Sequence, residues 1–245
     1  MKLAVIADIH GNYLALEAVL ADIEKQQVSD VVNLGDCFSG PLDAGKTAQI
    51  LMKCNFPTVR GNHDRYLIEQ NPEDMGPSDA CAYAQLEEHH INWLRTLPET
   101  LVFQDDIFLC HGTPTSDTTY WMERVTDQAE IASRTQREIE EQARGIDCAL
   151  ILCGHTHIPR TCTFSNGQLL VNPGSVGCPG YDDDQPIYHK VETGNPNACY
   201  AIVEKTPAGW DVTFRQIAYD HMKMSELARQ NGRPEWASAL ATGWL

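Results

Sequence analysis

The stretch KLAVIADIHGN, residues 2–12, runs from an apolar segment directly into two chemically reactive side chains. Residues 2–8 read as a buried β-strand, because a short unbroken apolar run bounded by a turn signal suits a strand covered on both faces. Asp8 and His10 end it with i, i+2 spacing, which puts both side chains on one side of an extended backbone. Asn12 is a candidate N-cap for NYLALEAVLADIEKQQ (12–27), whose apolar positions recur at helical spacing. A buried strand followed by an amphipathic helix is the first half of a βαβ unit.

The alternation continues outward from there. VVNLGD (31–36) reads as a second strand, LDAGKTAQILMKC (42–54) as a helix, and FPTVRGNHD (56–64) as a third strand entering a turn. Residues 78–96 read as helical, TLVFQDDIFLCHG (100–112) as two strands joined by a Gln-Asp-Asp turn, and 126–144 as a charged helix. CALILCGHTH (148–157) reads as another buried strand. Beyond it the pattern turns all-β: RTCTFSNGQLLVNPGS (160–175) carries the Asn-Gly of a two-residue hairpin, and ACYAIVEKTPAGWDVTFRQI (198–217) reads as a second hairpin. GCPGYDDDQPIYHKVETGNPN (177–197) reads as a long loop, and residues 217–245 as a helical tail broken at Asn-Gly-Arg-Pro. With no repeat or linker in view, 1–245 is expected to form one domain, with 117–147 a candidate helical cap.

Composition bounds the function. The 245 residues are 42% hydrophobic and 21% charged, ordinary for a water-soluble domain that buries a sizeable core. The start carries no secretory pattern, and no apolar run approaches the roughly 20 residues that span a bilayer. A cytoplasmic protein with no membrane partner is expected. The nine cysteines are odd in number and form no CxxC pair, so buried apolar roles are expected for them. The formal charge of −16 argues against the basic surface that extended nucleic-acid binding needs. An anionic substrate would have to be attracted by something other than lysine and arginine.

The strand ends supply a candidate. They read Asp8-Ile9-His10, Gly35-Asp36, Gly61-Asn62-His63-Asp64, His111-Gly112 and Gly154-His155-Thr156-His157. In open α/β sheets ligands bind beyond the carboxyl ends of the strands. Five strands here deliver Asp, Asn or His to that edge, a donor set suited to metal ions. His63 beside Asp64 also suits an imidazole held ready for proton transfer.

The ordered series DxH, GD, GNHD, HG, GHxH resembles the calcineurin-like metallophosphoesterase superfamily, in particular its small prokaryotic phosphodiesterase and protein-phosphatase-like branches. The resemblance covers residues 8–157, with NPGS (172–175) similar to a turn that follows GHxH in small bacterial members. It implies an α/β fold in which two mixed β-sheets pack as a sandwich with helices on the outer faces (αββα). It also implies two divalent metal ions: Mn²⁺ first, with Fe, Zn, Co or Ni also suited to the donors. One would take Asp8, His10, Asp36 and His157, the other Asp36, Asn62, His111 and His155. Two divalent ions against two carboxylates would leave the site locally positive within an acidic protein.

The implied reaction is direct hydrolysis of a small phosphodiester or phosphomonoester by metal-activated hydroxide. His63 would donate the proton to the leaving group and Asp64 would orient it. Two other readings are a non-catalytic metal-binding scaffold on the same fold and a nuclease of the superfamily. The complete ligand set and His63 count against the first, and the acidic balance against the second.

Outside the motifs, His89 and His90 read as solvated, Tyr66 as a core residue, and His189 as a loop residue within reach of substrate. Trp121, Arg124 and Arg134 fall on the candidate cap. Trp236 and Trp244, in the tail, suit either core or interface. Oligomeric state is left open.

Overall fold

A computed structural model describes residues 1–245. The first part of the chain runs β1 (Lys2–Ile6), α1 (Tyr13–Lys25), β2 (Asp30–Asn33), α2 (Ala44–Cys54), α3 (Asn62–Glu69), α4 (Pro77–Tyr83), α5 (Glu88–Arg95), β3 (Thr100–Phe103) and β4 (Ile107–Cys110). The middle part adds β5 (Glu123–Val125), β6 (Ile131–Ser133), α6 (Gln136–Gln142), β7 (Leu150–Leu152), β8 (Arg160–Thr163) and β9 (Leu169–Asn172). The last part adds β10 (Gly180–Asp183), β11 (His189–Glu192), β12 (Ala198–Thr206), β13 (Gly209–Ile217), α7 (His221–Gln230) and α8 (Pro234–Thr242). No helix is long and apolar enough to cross a membrane.

Two sheets carry the architecture, one in the order β13-β12-β1-β2 and the other β3-β4-β7-β9-β8. Both are mixed. β1 is parallel to β2 and antiparallel to β12. β7 lies between parallel neighbours β4 and β9, with β3 and β8 antiparallel at the edges.

The period of two in each strand sorts side chains between layers. Leu3, Val5 and Ala7 point inward and pack with Ile107, Leu109, Leu150 and Leu152 of the other sheet. Ala4 and Ile6 point outward against Leu16 and Val19 of α1. On the far side, Cys110, Ile151 and Leu170 pack against Trp121 and, through α6, Ile139. The result is the αββα sandwich. Leu109 and Leu152 are fully buried, and truncating either to alanine is expected to cost about 2–5 kcal/mol.

Several local expectations are corrected. Residues 56–64 form no ladder strand; only Thr58 bridges to Asn33, because Pro57 has no N–H to donate. Residues 117–147 are not a helical cap but a β5–β6 hairpin followed by one short helix. Thr135 and Glu138 form a capping box that starts α6 and ends the extended segment before it. The 78–96 segment splits into α4 and α5, where Gln85 turns its side chain onto Leu42 O and Ala44 N.

The 160–175 hairpin has a three-residue loop rather than a two-residue one. Phe164 N bonds Gln168 O, and Gly167 takes φ +89° to close the turn. Residues 177–197 are a β10–β11 hairpin, whose buried His189 and Val191 alternate with exposed Lys190. His90 is buried, not solvated: its Nδ1 accepts the backbone N–H of Glu87 at the start of α5.

Candidate metal centre and active site

The seven strand-end residues meet in one volume. Asp8 and His10 follow β1, Asp36 follows β2, Asn62 opens α3, His111 follows β4, and His155 and His157 follow β7. All are buried. Asp8 and His10 are not in extended backbone as their spacing suggested; they lie in the loop past β1. Asp8, His10, Asp36, His155 and His157 take left-handed backbone, with φ between 49° and 70°. Non-glycine residues reach that region at a cost of roughly 1–2 kcal/mol each, and such strain gathers at functional sites. Neighbouring loops hold these residues in place: Asp8 N bonds Gly35 O, His10 N bonds Asp36 O, and Gly154 N bonds His111 O at 2.7 Å.

Glycine permits the closest approach. A Cβ on Gly61 would lie 2.1 Å from Asp36 Oδ1 and 2.6 Å from Asp36 N. Only a bare backbone lets the 61–64 segment lie against Asp36, whose Oδ1 accepts the His63 N–H at 2.9 Å.

The side chains form two triads with converging donor atoms, Asp8/His10/His157 and Asp36/His111/His155. His157 Nδ1 donates to Cys178 O and His111 Nδ1 to Leu34 O, both at 2.7 Å. Each Nε2 of a neutral ring then turns a lone pair inward. His157 Nε2 lies 3.2 Å from His10 Nε2 and 3.4 Å from Asp8 Oδ1. His111 Nε2 lies 3.1 Å from Asn62 Oδ1 and 3.3 Å from Asp36 Oδ2. Asp8 Oδ1 is buried and accepts no hydrogen bond. Acceptors facing acceptors in a buried space are what a cation relieves. The donors fit metal ions on that ground.

Where no cation relieves that crowding a proton does, because the neighbouring carboxylates favour the charged ring at His111 and His157. Burial opposes charge on His111, but Asp36 and Asp8 outweigh it and push its pKa up to about 9. Burial likewise opposes charge on His157, which Asp8 holds well above the usual value. Burial pushes His155 down to about 3 and also lowers His10.

His63 lines the cleft beside the triads. Its Nδ1 lies 2.8 Å from Asp79 Oδ1 on α4, not against Asp64. The expected orienting role of Asp64 is therefore corrected. Its two oxygens accept the backbone N–H groups of Asp36, Cys37 and Gly61 at 2.8–3.0 Å, tying the β2 loop to the start of α3. The helical geometry of α3, which starts at Asn62, turns the Asp64 carboxylate back onto that first turn. Asp79 was missed because its partner lies sixteen residues away, with no local pattern to mark it. Burial opposes charge on His63, but Asp79 and Asp36 push its pKa up to about 9.

The triads open into a cleft of about 950 Å³. Tyr66, expected in the core, is half-buried on its wall, which also includes half-buried Tyr181 and Arg134, buried Tyr120 and exposed Arg124. Trp236 stands edge-on to His10 with ring centres 5.8 Å apart, while Trp244 is exposed. His189 does not line the cleft; it lies behind the wall, its Nε2 2.9 Å from the Tyr120 hydroxyl. Arg65 is held away by a two-point contact with Asp117.

Comparison with known proteins adds a family. A model described as the calcineurin-like phosphoesterase superfamily domain matches residues 1–195. The chain is similar to a metallophosphoesterase of Sphaerobacter thermophilus, at 28% identity and TM-score 0.74, covering 99% of this chain and 100% of that one. A hypothetical protein of Pyrococcus horikoshii shares the fold at TM-score 0.73 and 21% identity, covering 99% and 98% of the two chains. An uncharacterized protein of Methanocaldococcus jannaschii is 25% identical over 96% of this chain and 94% of its own length.

Proposed function

Because the chain belongs to the calcineurin-like phosphoesterase superfamily, we propose that it is a two-metal phosphoesterase that hydrolyses a small phosphodiester or phosphomonoester, the diester favoured. The observation that carries this is the inward convergence of two buried Asp/His triads, with Asp8 Oδ1 left without a hydrogen-bond partner. Asp8, His10, Asp36 and His157 would hold one ion, and Asp36, Asn62, His111 and His155 the other. Bound there, two divalent ions would supply activated water and positive charge at phosphorus; manganese is the first candidate, and iron, zinc, cobalt or nickel suit the same donors.

The chain's own residues do the rest. His63 sits next to ligand Asn62, with its backbone N–H on Asp36 and its ring on Asp79. It is placed to donate a proton to the leaving oxygen, and Asp79 fixes the ring and favours its charged form. Asp64 acts indirectly, holding the loop that carries Asp36. Asn62 adds an oxygen donor without adding charge, which keeps the site attractive to an anion in a chain of formal charge −16.

His63→Ala tests the acid role through the leaving group. Loss of a proton donor should lower turnover of an alkyl ester by about 100-fold or more, and of a p-nitrophenyl ester much less, with metal content unchanged. Equal losses on both esters would contradict the role.

A further inference from the structure

Two arginines in the cleft lack the partners that the other cleft-region arginines have. Arg65 is bound to Asp117, Arg160 lies 2.8 Å from buried Glu123, and Arg233 is held by Glu235 and Ser78. Arg124, on β5, makes no ion pair or side-chain hydrogen bond. Arg134, just past β6, bonds only through Nε to Tyr120 O at 3.3 Å, which leaves its terminal nitrogens free. Glu138 is near both and Glu123 near Arg134, without a hydrogen bond to either arginine; Thr135 holds Glu138 Oε2. The hairpin register brings the two arginines onto one short ribbon, Arg124 opposite Ala132 and Arg134 N bonded to Met122 O. Both line the cleft that contains the triads.

Both signs of charge line this cleft. Asp182, Asp183 and Asp184, on and after β10, line it as well, and β11 packs beside β6, so the two guanidinium groups are the positive element of a wall that also carries acidic side chains. A scissile phosphate fills only part of about 950 Å³, a volume typical of sites for whole small molecules. Unpaired guanidinium groups offer the forked donors that match phosphate oxygens.

We propose that Arg124 and Arg134 form an anion subsite, so that the substrate carries a second phosphate group in addition to the one hydrolysed. The proposal deepens the phosphoesterase reading and rests on it for the word substrate. The subsite itself can be tested without turnover.

The test is calorimetric titration of inorganic tripolyphosphate into metal-stripped protein at fixed salt. Wild type, Arg124→Gln/Arg134→Gln, Arg124→Lys/Arg134→Lys and Arg137→Gln/Arg144→Gln are compared, with folding of each checked by thermal unfolding. The cleft glutamine pair should weaken binding by at least about tenfold, the lysine pair by less. The Arg137/Arg144 pair, exposed on and after α6, removes the same charge and should leave affinity within twofold. Absence of binding by wild type, unchanged affinity in the cleft pair, or equal losses in both glutamine pairs would overturn the subsite. Absence of metal-dependent ester hydrolysis by wild type would instead remove the phosphoesterase reading, a separate result.

Discussion

His63 Nδ1 and Asp79 Oδ1 lie 2.8 Å apart, joining the first turn of α3 to the first turn of α4. The adjacent Asp64 points the other way, into the backbone amides of the β2 loop. Two carboxylates near one histidine thus have different work, and substitution separates them.

Asp79→Asn keeps a similar shape but removes the charge that orients and favours protonated His63. We expect kcat to fall about 10- to 100-fold, with metal content and KM little changed. Asp64→Asn should instead lower thermal stability and metal affinity, because one amide oxygen cannot replace two carboxylate acceptors. If Asp64→Asn lowers kcat with stability and metal content intact, the division of roles is wrong.

Gly61→Ala places a methyl group 2.1 Å from Asp36 Oδ1. The loop must move, and Asp36 with it. Stability should drop by about 3 kcal/mol or more, and a folded fraction should bind less than the wild-type complement of metal. Unfolding curves with metal analysis check both, and a fully loaded, stable variant would contradict the close-approach account.

Metal binding should stabilise the fold, since the ligands hold left-handed backbone and mutually facing acceptors in the native state alone. At free metal one hundred times the dissociation constant, each site adds about 2.7 kcal/mol, which scanning calorimetry with and without chelator would register as a rise in Tm. Tm independent of metal would contradict a folded-state site.

Asp22 offers a pH test away from the site. Arg215 binds both its oxygens and Tyr200 donates to Oδ2 at 2.6 Å, so Arg215, opposed by burial and helped by Tyr200, holds the carboxyl below its usual range. A depressed folded pKa stabilises above the unfolded value, near 4, and the stabilisation is lost as pH falls through the folded value. Asp22→Asn should cost about 1–3 kcal/mol at neutral pH, with the gap to wild type closing below about pH 4. A gap constant from pH 7 to pH 3 would contradict the linkage.

Legibility in the sequence follows the range of the interaction. The β1 run and its Asp8–His10 ending were legible because burial and strand-end position are encoded within ten residues. The convergence of the triad donors could be inferred because each of their blocks follows its own apolar strand, whereas the division of the donors between two ions came from the family resemblance. The β5–β6 hairpin was hidden: Glu123–Ser133 is polar, and the strand that packs beside β6 is β11, far along the chain. The β10–β11 hairpin was hidden by its Gly, Pro and Asp content, although His189 and Val191 alternate as a strand requires. Asp79 was illegible because only tertiary packing of α4 on α3 brings it to His63. Left-handed backbone at Asp8 and His10 was also illegible, since the same spacing fits an extended strand.

The most direct test of a two-metal phosphoesterase centres on Asp36, which lies 3.7 Å from His10 Nε2 and 3.3 Å from His111 Nε2. Metal-stripped wild type and Asp36→Asn would be reloaded with Mn²⁺, assayed on bis-p-nitrophenyl phosphate beside p-nitrophenyl phosphate, and analysed for bound metal. The account predicts two ions per wild-type chain, turnover that requires them, and loss of at least about 100-fold in the variant. Wild type that binds two ions yet hydrolyses neither ester, or a variant that keeps full turnover, would contradict it.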